Sequence, residues 1–292
     1  MIANTALAPA KINLTLHVTG QRDDGYHLLD SLVVFLDLGD GLRVGPAPDL
    51  RLSVTGPFKM GVPTNHNNLA MRAAQMLAQA TGATRGAALT LDKLLPHAAG
   101  IGGGSADAAL TLRLLADFWN VDLADLTLDE IVALGADVPV CLAGPGPLRM
   151  RGVGDDLSTV AKLPDCALVL VKPDVDVATP AIFQALRQKN NAAMDDLPSG
   201  LDLEGFAAWL DTQRNDLLPP ARDLAPDIAV ALDGLRRLPQ VKAVGMSGSG
   251  ATCWGLTAHT ADAKTAAKSM QLKHPRWWVA PGGVLQTSRA TT

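Results

Sequence analysis

The chain has 292 residues, 48% of them apolar and only 18% charged, which is core material for one large domain or two ordinary ones and excludes intrinsic disorder. A net charge of −4 with no run of Lys and Arg speaks against a nucleic-acid footprint. Cys141, Cys166 and Cys253 form an odd set without CxxC spacing, which suits reduced thiols and neither a disulfide framework nor a zinc site.

In chain order, Lys11–Thr19 alternates apolar and polar residues and reads as a half-buried strand. Lys11 is the first basic residue, so the opening lacks the charged start of a secretory signal. The longest apolar runs, Leu32–Leu36 and Ala167–Val171, are too short to span a bilayer, and the expectation is a soluble cytoplasmic protein. Asp24-Gly25 marks a turn; Leu32–Leu38 and Leu50–Val54 read as strands. Asn68 reads as the N-cap of a helix through Gln79, and Ala88–Leu91 as a further strand. After Pro96 comes a glycine-rich loop, Gly100-Ile-Gly-Gly-Gly-Ser105, and a helix is predicted from Ser105 to about Phe118. Thr127 and Glu130 form a capping box for a short helix that Gly135 ends.

Gly144–Pro147 reads as a loop, and the best domain boundary lies near 155–165, which gives domains of 1–160 and 161–292 with functional loops expected in the cleft between them. Ala167–Val171 is predicted as a buried strand, and Thr179-Pro180 as the N-cap and first residue of a helix through Arg187. Helices are predicted near Gly205–Asp211 and Pro226–Leu238. Strands at Val241–Met246 and Thr252–Leu256 flank the turn Ser247–Gly250, and a last helix and a strand around Trp277–Val279 close the chain.

The glycine loop is the sharpest chemical feature. Consecutive glycines leave backbone N–H groups uncovered, and a helix start directly after them is a ready anion site. The loop is neither a Walker A sequence nor the Rossmann fingerprint, because Ser105 stands at the last position of the G-x-G-x-x-G pattern begun at Gly100. Alone it also fits a mobile hinge. Lys11 alone fits a solvated strand end, Asp137 a turn, Asn68 a plain N-cap and Phe183 the core face of its helix.

Their joint occurrence decides. Pro9-Ala-Lys-Ile-Asn13 leading to Asp24-Gly-Tyr-His27, Leu95–Ala109 around the glycine loop, Leu134-Gly-Ala-Asp-Val-Pro139 and Gly245–Gly255 together resemble the GHMP kinase superfamily, from about Ala8 to Leu256. The resemblance implies an α+β fold of two domains, the first like domain 2 of ribosomal protein S5 and the second ferredoxin-like. It implies ATP and Mg²⁺, and phosphorylation of the 2-hydroxyl of 4-(cytidine 5'-diphospho)-2-C-methyl-D-erythritol in the non-mevalonate isoprenoid pathway. The rival readings are another GHMP small-molecule kinase, of the homoserine or mevalonate kinase type, and a catalytically dead nucleotide-binding module. No nucleic-acid or membrane partner is implied.

Residue by residue, the resemblance makes Asp137 the general base and places Lys11 beside the acceptor hydroxyl. It gives Pro96, His97, Ala98, Ala99, Gly100, Ile101, Gly102, Gly103, Gly104, Ser105 and Ala106 to the nucleotide phosphates, and puts Asn68 and Lys93 near the adenine. Tyr26 and Phe183 match positions that sandwich the cytosine, and His27 one that hydrogen-bonds it. Asn13, Thr179, Gly248 and Ser249 complete the expected substrate set. His97-Ala98-Ala99 stands where many members are glycine-rich, and Ala106 replaces a frequent second serine.

Overall fold

A computed structural model describes residues 5–160 and 162–286. Ala161, at the expected domain boundary, lies outside the described residues. The described chain divides into two compact units: residues 5–10, 38–97 and 102–143 form one, and residues 11–37, 98–101, 144–160 and 162–286 the other. The first strand region is longer and more broken than the alternation predicts: β1 (Ala6–Asn13) and β2 (His17–Gln21) are separate. The break falls where Leu16 bridges to Asn215 and where the Thr15 hydroxyl accepts from Leu32 N at 2.8 Å. Side-chain and long-range partners replace ladder bonds there. The predicted Leu32–Leu38 strand is the centre of a 20-residue strand, β3 (His27–Pro46).

In the first unit, the end of β3 pairs antiparallel with β5 (Ala87–Asp92), which also carries β4 (Arg51–Thr55) in parallel. Ala87, Leu89 and Leu91 point inward from β5 with the period of two that a half-buried strand requires. Two helices pack on each other, α1 (Leu69–Thr81), which buries Ala70, Ala73, Ala74 and Leu77, and α2 (Gly103–Trp119), which buries Ala108, Ala109, Leu112 and Leu115. α3 (Leu128–Leu134) has the expected capping box. A short α4 (Val138–Ala143) follows, which its internal Pro139 concealed; proline is tolerated there because it sits in the first turn, where no N–H is needed.

In the second unit, the start of β3 pairs with β2 and with β6 (Leu148–Gly152), which in turn pairs with β7 (Asp156–Thr159). The remainder runs β8 (Ala167–Lys172), α5 (Thr179–Ala185), α6 (Leu203–Thr212), α7 (Leu218–Leu224), α8 (Asp227–Arg236), β9 (Ala243–Met246), β10 (Cys253–Thr257), α9 (Thr260–Lys273) and β11 (Trp278–Gly283). Its four antiparallel strands lie in the order β11-β8-β10-β9. Counted from β8, that is 4-1-3-2 with helices in the two crossovers, the ferredoxin-like arrangement. β8 is buried along its whole length, as its unbroken apolar run requires.

Two predicted boundaries are corrected. Thr179 is not the N-cap of α5. Ala178 holds that position, and the Thr179 hydroxyl is 2.8 Å from Ser249 Oγ instead. The helix after the glycine loop starts at Gly103 rather than Ser105, with Gly102 as a left-handed N-cap at φ 65°. The three cysteines are buried and form no disulfide, and burial pushes Cys166 up to about 12.

Candidate active site

Within the first unit, α2 opens on Gly102 with no side-chain cap and no acidic residue in its first turn. Its leading N–H groups therefore lack the usual competitor for an anion, and the helix is 17 residues long. The first intrahelical bond is Ala106 N to Gly102 O, 2.8 Å. Ser105 Oγ faces the Gly135 backbone, 3.8 Å from where a Cβ would stand, so the loop helix and the Gly135-Ala-Asp137 segment meet inside this unit. Asp137 is half-buried and sits at the head of α4, where its carbonyl accepts from Cys141 N. Asn68 is the α1 N-cap, as predicted, accepting from Ala70 N at 2.9 Å while its Nδ2 donates to Pro63 O at 2.8 Å. His97 is exposed, and its Nε2 bonds Phe58 O at 2.5 Å.

Lys93 is buried. Its Nζ donates to a carboxylate oxygen of Asp40 and to Asp107 Oδ2 at 2.8 Å. Burial alone would lower its pKa, but the two facing carboxylates outweigh that and raise it. Neither Asp40 nor Asp107 stands out in the sequence as a site residue. The available signal was an acid at a buried position, Asp40 within the apolar length of β3 and Asp107 between Ala106 and Ala108 on α2.

The second unit holds the rest of the glycine loop and most of the expected substrate set. Lys11 is 3% exposed, so it is no solvated strand end, and its backbone N–H donates to Ile101 O at 3.0 Å. Ser247, which the sequence reading placed only in a turn, ties several parts together. Its hydroxyl donates to Gly100 O at 2.8 Å and accepts from Asn13 N at 3.1 Å. Thr252 N donates to Ala99 O, and Trp254 Nε1 donates to Asn13 O.

Gly100 must be glycine. Its φ is +70°, and a Cβ would lie 2.6 Å from the carbonyl oxygens of both Ser247 and Gly250. Gly248, at φ +56°, faces Gly100 O in return, and the Asn13 Oδ1 near it is buried with no hydrogen-bond partner. His27, the first residue of β3, stacks on Phe183 at 4.7 Å between centroids with 29° between planes. Its Nε2 is buried and unpartnered, and burial, then the charge of Lys189, lowers its pKa. Tyr26 is 61% exposed at the tip of the β2–β3 turn. The structure thus groups Asn13 with Gly100 and Gly248, Thr179 with Ser249, and His27 with Phe183.

The pattern of the GHMP kinases N terminal domain matches residues 68–145, and that of the GHMP kinases C terminal region matches 181–275. The chain belongs to the GHMP kinase family. It is 53% identical over 287 residues to the 4-diphosphocytidyl-2-C-methyl-D-erythritol kinase of Ruegeria pomeroyi, covering 97% of this chain and 100% of that one. The kinase of the same name from Dinoroseobacter shibae is 55% identical over 275 residues, 94% of this chain and 92% of that one. A crystal structure of 4-(cytidine 5'-diphospho)-2C-methyl-D-erythritol kinase superposes with a TM-score of 0.76 at 35% identity, over 96% of this chain and 99% of that one. Homoserine kinase from Cytophaga hutchinsonii shares the fold at 16% identity, with a TM-score of 0.67 over 95% and 94% of the two chains. As a GHMP kinase, the chain is an ATP-dependent small-molecule kinase. No helix among the described residues is long and apolar enough to cross a membrane.

Proposed function

We propose that this GHMP kinase transfers the γ-phosphoryl group of ATP to the 2-hydroxyl of 4-(cytidine 5'-diphospho)-2-C-methyl-D-erythritol, giving the 2-phosphate and ADP in the cytoplasm. The observation that carries the reading is identity above 50%, over nearly the whole chain, to kinases named for that substrate. The accompanying domain division is 1–160 and 161–292, which keeps each matched family segment whole.

In this reading the uncapped start of α2 and the loop Pro96–Ala106 receive the nucleotide phosphates, with Asn68 and Lys93 in the surrounding frame. The glycines fit that role because their backbone donors are uncovered by side chains. Mg²⁺ would neutralise phosphate charge when bound with the nucleotide. Among the described residues no three His, Cys, Asp or Glu side chains gather as a metal site. Asp137 accepts the proton of the attacking hydroxyl, a contribution of about 10²–10⁴-fold. Lys11 offsets negative charge on the reacting oxygens. Phe183 supplies a flat face for the cytosine, the exposed Tyr26 ring closes over it, and the unpartnered His27 Nε2 reads its edge. Asn13, Thr179, Gly248 and Ser249 hold the remainder of that substrate.

The test is an ADP-release assay with Mg-ATP and four acceptors: the cytidylated substrate, 2-C-methyl-D-erythritol 4-phosphate, homoserine and mevalonate. Turnover confined to the cytidylated compound is expected. Preferential turnover of any other acceptor overturns the substrate assignment, and no turnover of any overturns the activity.

A further inference from the structure

The Asp40, Lys93 and Asp107 side chains form a buried ionic chain whose two carboxylates have no place in the reaction just described. Asp40 is 0% exposed, Lys93 5% and Asp107 3%. Burying three ionisable groups is costly, and well-packed apolar residues of similar volume commonly do as well or better for stability. Stability therefore gives no reason for the cluster, whereas geometry does. Asp40 Oδ1 accepts from Leu94 N at 2.6 Å and Leu95 N at 2.9 Å, so one carboxylate fixes the backbone leading out of β5 toward the loop. Lys93 is itself anchored, with its N bonded to Thr55 O at 2.9 Å and its O to Phe58 N at 3.1 Å. Its ammonium then crosses to Asp107, the fifth residue of α2. A Cβ built on Gly103 would stand 3.5 Å from Asp40 Oδ2 and 3.7 Å from Lys93 Nζ, so the first turn of α2 lies directly against the ion cluster.

We propose that Asp40 and Asp107 are positioning residues of the phosphate loop: through Lys93 they brace the β5 exit against α2 and hold the Gly102–Ser105 backbone ready for the nucleotide. Lys93 also neutralises charge that would otherwise repel phosphates arriving at that helix start. Asp107 Oδ1 is buried without a partner, a cost that a strut tolerates when its other oxygen holds the cation. Burial raises the Asp107 carboxyl to about 7, against the pull of Lys93, which agrees with two acids sharing one ammonium. The nucleotide part of the inference rests on the proposed function; the bracing part does not.

The experiment compares Asp107→Ala and Asp107→Asn with the unaltered protein. Peptide-resolved amide exchange without nucleotide should rise at least tenfold over Ala106–Ala109 in Asp107→Ala and stay unchanged over α9, which belongs to the second unit. KM for ATP should rise about tenfold in Asp107→Ala and about threefold in Asp107→Asn, which keeps an acceptor for Lys93, while KM for the acceptor stays within about twofold. An exchange increase shared equally by α9, or an unchanged KM for ATP, overturns the proposal. If Asp107→Ala does not fold, Asp107→Asn decides by the same two readings. A wild-type protein that binds no ATP strikes the proposed function, while the exchange measurement still decides the brace.

Discussion

Asp137 is the proposed general base. Asp137→Asn keeps size and removes the base, so kcat should fall by about two to four decades with substrate KM nearly intact. Near-normal kcat in a folded variant would remove Asp137 from the mechanism. The loop residues divide by backbone conformation. Ala98 holds φ 47°, a left-handed conformation that costs an L-residue about 1–2 kcal/mol. Ala98→Gly relieves that strain while loosening the unfolded chain, so denaturant unfolding should show it neutral or slightly stabilising. Gly100→Ala acquires the same strain and drives a methyl group into two carbonyl oxygens, so it should lose more than about 1–2 kcal/mol. Glycine at 98 would thus be a conformational preference, whereas glycine at 100 is a requirement.

At the scale of elements, the strand β2 and the irregular segment 190–196 are held by groups whose charge state matters. His17 is buried; its Nδ1–H donates to Ala192 O at 3.3 Å, and its Nε2 accepts from Arg214 N at 3.2 Å. A second ring proton would face a donor, and burial, then the Arg214 charge, lowers the pKa below 6.5. The unfolded chain thus binds a proton that the folded chain refuses. Stability is complete above about 6.5 and declines as pH falls from there toward the folded value. Urea unfolding between pH 8 and pH 5 should show that decline, and His17→Gln should flatten it.

The same segment is tied to β6 by Arg149, whose Nε and Nη2 grip both oxygens of the buried Asp30 at 2.8 and 2.7 Å while Nη1 reaches Asp196. Arg149→Ala strands the Asp30 charge, a loss of about 3–5 kcal/mol by denaturant unfolding. Arg149→Lys should restore only part of it, because an ammonium cannot make the paired contact.

For the molecule as a whole, nucleotide binding should register as global stability. ATP at about 100 times its Kd adds about 2.7 kcal/mol when only the folded chain binds it. Gly103→Val places a branched side chain against Asp40 and Lys93 beneath the helix start, and should abolish most of that increment while the apo protein stays folded. An increment of full size in Gly103→Val would mean that the glycine loop is not where ATP binds.

Periodicity and local chemistry were enough for what depends on neighbours in sequence. The buried run of β8, the alternation of β5, the Asn68 cap and the Thr127–Glu130 box all appear as read, because each rests on contacts within a few residues. The glycine loop was legible as a candidate anion site for the same reason, since uncovered N–H groups before a helix need no distant partner. The Asp40–Lys93–Asp107 chain was not, because its members lie 14 and 53 residues apart and each alone resembles a surface charge. Ser247 looked like one residue of a turn until the fold brought it to Gly100, 147 positions away. The true break between β1 and β2 and the freeing of the Thr179 hydroxyl for Ser249 have the same cause. A hydrogen bond to a remote element outweighs local preference, and only the tertiary structure names the remote partner.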